Sequence, residues 1–210
     1  MKTTEDAEKI GTATQILDAA QRMVQTRGYS AFSYADIADA VGIRKASIHY
    51  HFPSKASLAR ELVTRYRAVL RAHVARIECR VFGAGERLQC YAQLYRDILR
   101  EGAPDGGCIC LCGALAVDLA ALPDDLRGEV CGFFEENQAW LARTLDEGRQ
   151  AGTLHFVGTP EDQAQAFLAG LEGAMLLART RRDVLLYCAV AHHLLAQMGV
   201  DVSLLTLTAG

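Results

Sequence analysis

Only four prolines occur in the 210 residues, at 53, 104, 123 and 160, and aromatic residues make up just 7% of the chain. Proline ends or kinks helices, so its scarcity leaves room for long uninterrupted ones, and each of the four reads as a helix start. Strand-like alternation is missing over any useful length, which counts against a sheet protein. No apolar run reaches the roughly 18 residues of a membrane span. The opening MKTTEDAEKIGTATQ lacks an apolar h-region, so the chain is expected to be cytoplasmic. Missing too are G-x-S-x-G, H-E-x-x-H, a P-loop and a glycine-rich nucleotide fingerprint. These absences argue against an enzyme, and no cofactor and no metal site are expected. What is present suffices for an ordinary core: half the residues are apolar and 22% are charged.

The net charge of −3 does not by itself suggest a polyanion partner. Its distribution does. Residues 1–60 hold eight Lys/Arg against six Asp/Glu, and the remainder fourteen against nineteen. Between Asp39 and Glu61 there is no acid, only Arg44, Lys45, Lys55 and Arg60 with His49 and His51. Arg65, Arg67, Arg71 and Arg76 follow, again without an acid before Glu78. Such a stretch is either one face for a polyanion or an ordinary solvated surface.

The apolar spacing is helical throughout. Ile16, Leu17, Ala20, Met23 and Val24 give a stripe over about Ile10–Arg27, closed by Gly28. Ser33 is an N-cap candidate with Asp36 three residues on; Tyr34, Ile37, Ala38 and Val41 form a short apolar face that Gly42 ends. Lys45–Tyr50 makes a second short helix with Ile48 and Phe52 inward, and Ser54 caps a long helix to Cys79. Helices are then expected over Glu86–Glu101, Cys108–Ala121, Pro123–Ala151, Pro160–Arg181 and Asp183–Met198. A turn falls at 102–107, a strand-flavoured loop at 152–159, and the last twelve residues fray. The expected fold is all-α, with an N-terminal three-helix domain at 1–56 and a larger helical domain at 57–210.

Residues 33–52, SYADIADAVGIRKASIHYHF, fit a helix-turn-helix. The first helix braces, and the second can enter the major groove of duplex DNA. It offers Arg44, Lys45, Ser47, His49, Tyr50 and His51 outward. Lys55, at the next helix start, can clamp a phosphate. Two short helices around a glycine occur in many proteins; the residues themselves are more specific. With Gly28-Tyr29, Asp36-Ile37-Ala38, Val41-Gly42-Ile43 and the run from His49 to Lys55, the string resembles the TetR/AcrR family of transcriptional regulators. Ser33 replaces that family's common threonine, and His49 stands where tyrosine is frequent. The resemblance is sharp over about residues 10–62; size and helix count agree with the family's nine-helix plan. It implies that Ser33, Tyr50 and Lys55 hold phosphates, that Lys45, Ser47 and His49 lie nearest the bases, and that His51 does either or packs. For Tyr50 the competing role is a core aromatic.

The resemblance further implies a homodimer on a palindromic operator, released by a small-molecule effector in the C-terminal domain, with repression the commoner mode. Ala166, Ala169, Gly170, Gly173 and Ala174 make a small-residue stripe, and Phe167, Leu171, Met175, Leu186, Val190 and Leu194 supply apolar area. Together they are a candidate dimer interface; packing within the chain would look the same. Candidate effector contacts are Tyr91, Tyr95, Cys112, Phe133, Phe134, Trp140, Glu172 and Met175, each also readable as core. Glu172, an acid in an apolar stretch, faces a ligand or makes a salt bridge at the interface, the latter preferred.

Cys108, Cys110 and Cys112 lie in GGCICLCGALA, read as a helix opening. A helix N-terminus favours thiolate, and Cys108 is best placed. On such a helix Cys108 and Cys112 share a face while Cys110 points about 200° away. Three readings stay open: small apolar filling, sensing of oxidants or electrophiles by a thiol, and metal binding with His192 or His193. The thiol reading is the alternative to effector release. A Cys–His enzyme and a helical interaction module without DNA binding are the remaining rivals.

Overall fold

The computed structural model describes residues 2–101 and 107–202, with side chains from residue 11 onward. The expected turn at 102–107 falls almost wholly outside these residues, as do Pro104 and most of the tail expected to fray. Among the described residues the chain is helical without strands. Its α-helices are α1 (Lys2–Arg27), α2 (Tyr34–Val41), α3 (Lys45–His51), α4 (Lys55–Arg80), α5 (Ala84–Arg100), α6 (Leu111–Val117), α7 (Asp124–Gln150), α8 (Pro160–Arg181) and α9 (Val184–Gln197), with a 3-10 turn at Leu119–Ala121.

The chain divides into two compact units, one of residues 1–68 with 111–131, the other of 69–110 with 132–210. Helices α4 and α7 each run through the division. In the first unit α1 packs on α2, α3 and α6. Ile16, Ala20, Ile37 and Ile48 are buried there without exposure, and Tyr29 and Phe32 close the core from the α1–α2 connection. Truncating Ile37 or Ile48 to alanine would cost about 2–5 kcal/mol, the range for an emptied core position.

In the second unit α8, α9 and α5 pack on one another. Gly170 on α8 lets α9 approach closely, since a Cβ there would stand 2.6 Å from Leu194 Cδ1. Thr159 caps α8 in a reciprocal box with Asp162, and Pro160 occupies its first turn. The segment at 152–159 is a loop, not a strand. Its Leu154 is buried, and the His155 N–H donates to Met198 O at 2.9 Å.

One sequence expectation fails locally. Cys108–Cys110 are not helical, and α6 begins at Leu111. An apolar run containing β-branched Ile109 reads equally as buried extended chain or buried helix. The helix-terminus argument for a low Cys108 pKa falls with that placement, as does the shared face of Cys108 and Cys112.

Candidate DNA-reading face and effector site

The reading helix is held by local chemistry. Ser33 Oγ accepts the Ala35 and Asp36 N–H groups at 3.2 and 3.4 Å, and Asp36 accepts the Ser33 N–H at 2.7 Å. Donation from the Ser33 hydroxyl at 2.6 Å, and then from its N–H, holds the Asp36 carboxyl below the usual aspartate range. Gly42 adopts φ 75°, the left-handed value that a turn after α2 requires, and its N–H donates to Ala38 O at 2.9 Å. The Tyr34 hydroxyl donates to Phe52 O at 2.9 Å, tying α2 to the end of α3.

With Ile48 locked inward, α3 turns the opposite face to solvent. Arg44, Lys45, His49 and Tyr50 are exposed, and Ser47 and His51 half-buried. Tyr50 keeps 67% of its surface, so it is not a core aromatic of this chain. His49 rests edge-on against Tyr34, centroids 4.8 Å apart, and His51 lies between Tyr50 and Phe52.

Lys55 has a different setting from the phosphate clamp inferred from its position. Its Nζ donates to Phe32 O and stands over the rings of Tyr29 and Phe32, 4.7 and 4.1 Å from their centroids. Burial pushes its pKa down, opposed by the nearby charges of Asp118 and Asp36. The ammonium therefore ties the start of α4 to the turn ahead of α2.

The downstream arginines are mostly spent on ion pairs rather than on a polyanion face. Within the first unit Arg60 pairs with Asp125, Arg67 with Glu129, and Arg65 with Asp18 at 2.7 Å. Within the second, Arg71 grips Glu136 through two bonds of 2.6 and 3.2 Å, and the Trp140 N–H donates to Glu78 at 2.9 Å. Three of these pairs and the Trp140 bond lace α4 to α7. Their acids lie about sixty residues away in sequence, where no local pattern reveals them.

In the second unit the structure gathers Tyr91, Tyr95 and Trp140 of the expected effector contacts. Tyr91 stacks on Trp140 with centroids 5.3 Å apart, and its hydroxyl lies 3.1 Å from that of Tyr95. Asn137, which the sequence reading missed, organises them: it accepts the Tyr91 hydroxyl at 2.7 Å and donates to Phe133 O at 2.6 Å. Tyr187, also missed, donates to Ala92 O at 2.7 Å. Burial pushes all three tyrosines up, so they are neutral donors at physiological pH. Met175 is fully buried on α8. Phe134 is half-buried, edge-on to Phe133. Cys112 sits on α6 in the first unit.

Glu172 adjoins this cluster, with Cys110 and Tyr95 as its hydrogen-bond donors. Its Oε1 is buried with no hydrogen-bond partner. Burial raises its pKa to about 7, opposed by hydrogen bonds from Cys110 and Tyr95.

The candidate interface residues divide. Phe167, Leu171 and Ala174 are buried within the chain, and Gly170 is filled by Leu194, so these pack internally. Ala166 and Ala169 are exposed, and a Cβ at Gly173 would meet nothing within 4 Å. Leu186, Val190 and Leu194 are half-buried. Sequence reasoning missed Leu176, Leu177 and Leu185, which keep 44, 55 and 54% of their surface exposed.

All of Cys108, Cys110 and Cys112 are buried, whereas Cys79 and Cys131 are exposed. Among the described residues no three His, Cys, Asp or Glu converge as a metal site. Nor is any helix there long and apolar enough to cross a membrane.

Residues 16–62 match the family described as bacterial regulatory proteins, tetR family, and residues 84–194 match the tetracyclin repressor-like C-terminal domain. The chain belongs to the TetR family of transcriptional regulators. Among its TetR-family relatives is the transcriptional regulator AcuR of Cereibacter sphaeroides, 30% identical over 159 residues, covering 73% of this chain and 69% of AcuR. The HTH-type transcriptional repressor NemR of Escherichia coli is 25% identical over 176 residues, covering 82% and 86%. A TetR-family regulator from Agrobacterium tumefaciens has a solved structure with TM-score 0.86 and 34% identity, covering 90% of this chain and 98% of that one. The reduced form of E. coli NemR shares the fold, with TM-score 0.78 at 20% identity over 90% and 98%.

Proposed function

We propose that this TetR-family regulator binds a palindromic operator as a homodimer in the cytoplasm, represses transcription there, and is released by a small-molecule effector in its C-terminal domain. In this reading residues 1–56 form the DNA-binding domain and 57–210 the effector and dimer domain. The observation that carries it is the outer face of α3, where exposed Tyr50, Arg44 and Lys45 stand over a buried Ile48. One seven-residue helix offers too little contact for specificity, and helix-turn-helix proteins commonly read two half-sites about 34–36 Å apart.

Ser33, Tyr50 and His51 would engage phosphates, and Arg44, Lys45, Ser47 and His49 base edges. Lys55 contributes by holding the turn that presents Ser33. The outward residues of α8 and α9, Ala166, Gly173, Leu176, Leu177 and Leu185, would meet a second copy of the chain. The test is selection from a pool of random duplexes. Enrichment of a palindrome is expected, and no enriched sequence would overturn the reading.

Thiol sensing through Cys108, Cys110 and Cys112 is supported by the cluster itself and by the likeness to NemR. Burial of all three denies a reagent direct access, so effector binding is the reading favoured here. Slow labelling of these thiols by iodoacetamide in the folded protein, beside fast labelling of Cys79 and Cys131, is the expected contrast.

A further inference from the structure

The carboxyl group of Glu172 is short of a hydrogen atom to accept. Oε1 is enclosed without a partner, while the Cys110 thiol and the Tyr95 hydroxyl already direct protons at the group. Tyr95 has one proton and two claims on it, since the Tyr91 proton is committed to Asn137 and the Tyr91 oxygen lies 3.1 Å away. The charged groups around this site are few. From α5 come Tyr91 and Tyr95 and from α9 Tyr187, all neutral as acids, and from the segment before α6 comes the Cys110 thiol. Arg96 and Arg100 act on Tyr187 and Cys188, not on Glu172, and Arg96 pairs with Asp97. No described cation therefore answers the carboxylate. The rings of Tyr91, Tyr95 and Tyr187, which feel the Glu172 charge, stand nearby instead, with Trp140 stacked behind Tyr91, and aromatic faces attract cations. Glu172 as a residue is half-buried rather than sealed in the core.

We propose that Glu172 is the recognition point for the effector and that the effector is a small organic amine, its ammonium docked on the Glu172 carboxylate and its apolar body against the tyrosine rings. This deepens the effector reading above and rests on it. A docked ammonium supplies both the missing donor and the missing countercharge. An anionic ligand would meet a like charge, and a neutral donor would leave the buried charge unanswered.

The experiment titrates the full chain and follows emission of Trp140, its single tryptophan. The probes are 2-phenylethylamine, 2-phenylethanol and 3-phenylpropionate, which are cationic, neutral and anionic on one ring. The amine is expected to bind at least about tenfold tighter than either isostere, and tighter at pH 8 than at pH 6 as Glu172 ionises while the amine stays protonated. E172Q should lose the preference. An infrared difference spectrum guards against a variant that misfolds: amine binding to the unmodified protein at pH 6 should remove the carboxylic-acid carbonyl band of Glu172. Equal affinities, a tighter carboxylate or alcohol, no saturable amine binding, or an acid band unchanged by bound amine would overturn the proposal. None of these readouts involves DNA, so the proposal can fail while operator selection succeeds, and the reverse.

Discussion

The Asp118 carboxylate accepts the backbone N–H of Ser30 at 3.1 Å, joining the 3-10 turn after α6 to the connection between α1 and α2. The same charge supports the Lys55 ammonium. Removing it at D118A should cost about 1.5–3 kcal/mol, the range for one hydrogen bond to a charged group. That is a fall in Tm of several degrees for a chain of this size. D118N, which keeps an acceptor and loses the charge, should cost less. Thermal melts of the three proteins check both statements.

Tyr50 stands in solvent on α3, so its loss should not touch folding. Y50A should keep the parent Tm and lose about 1–3 kcal/mol of operator affinity, roughly five- to 150-fold. Fluorescence anisotropy with a labelled operator duplex reads the affinity. An unchanged Kd would remove Tyr50 from the DNA face.

Glu172 makes stability depend on pH in an unusual direction. Its folded pKa, about 7, exceeds the unfolded value of 4.5, so the folded state binds the extra proton. Stability should be full below about pH 4.5, decline as pH rises to about 7, and level off beyond. The shift corresponds to about 3 kcal/mol from this group alone, as an order of magnitude. E172Q should flatten the decline in a Tm–pH series and be the more stable protein at pH 8.

Leu177 and Leu185 are large apolar side chains more than half exposed on α8 and α9. L177E and L185E should leave the monomer fold intact, since neither residue is in the core. They should shift sedimentation from dimer to monomer and weaken operator binding with it. A dimer that survives both charges would place the interface elsewhere.

The sequence made the reading head legible because its determinants are local. Ser33 with Asp36, Gly42, and Ile48 under Tyr50 act within a few residues of one another, and the structure places each as expected. The departures are non-local. The partners of Arg60, Arg67 and Arg71 could not be read, because their acids, Asp125, Glu129 and Glu136, arrive only when α7 lies along α4. Nothing in the sequence around Lys55 announces that its ammonium meets Phe32 O. Asn137 was overlooked since a polar residue in a long helix ordinarily faces water; its burial follows from the Tyr91 hydroxyl 46 residues away. The short start of α6 was misread because Cys108–Cys110 pack as a buried apolar run whatever their backbone.

The box of Ser33 and Asp36 and the left-handed Gly42 have a kinetic consequence. They fix the angle between α2 and α3 before any DNA arrives, with no partner needed to complete the turn. On the proposed reading, encounter with an operator would carry no folding step, and the association rate would be left to diffusion and to the long-range field of Arg44 and Lys45. Specificity then resides in how long each complex survives, so a wrong site is left quickly rather than approached slowly.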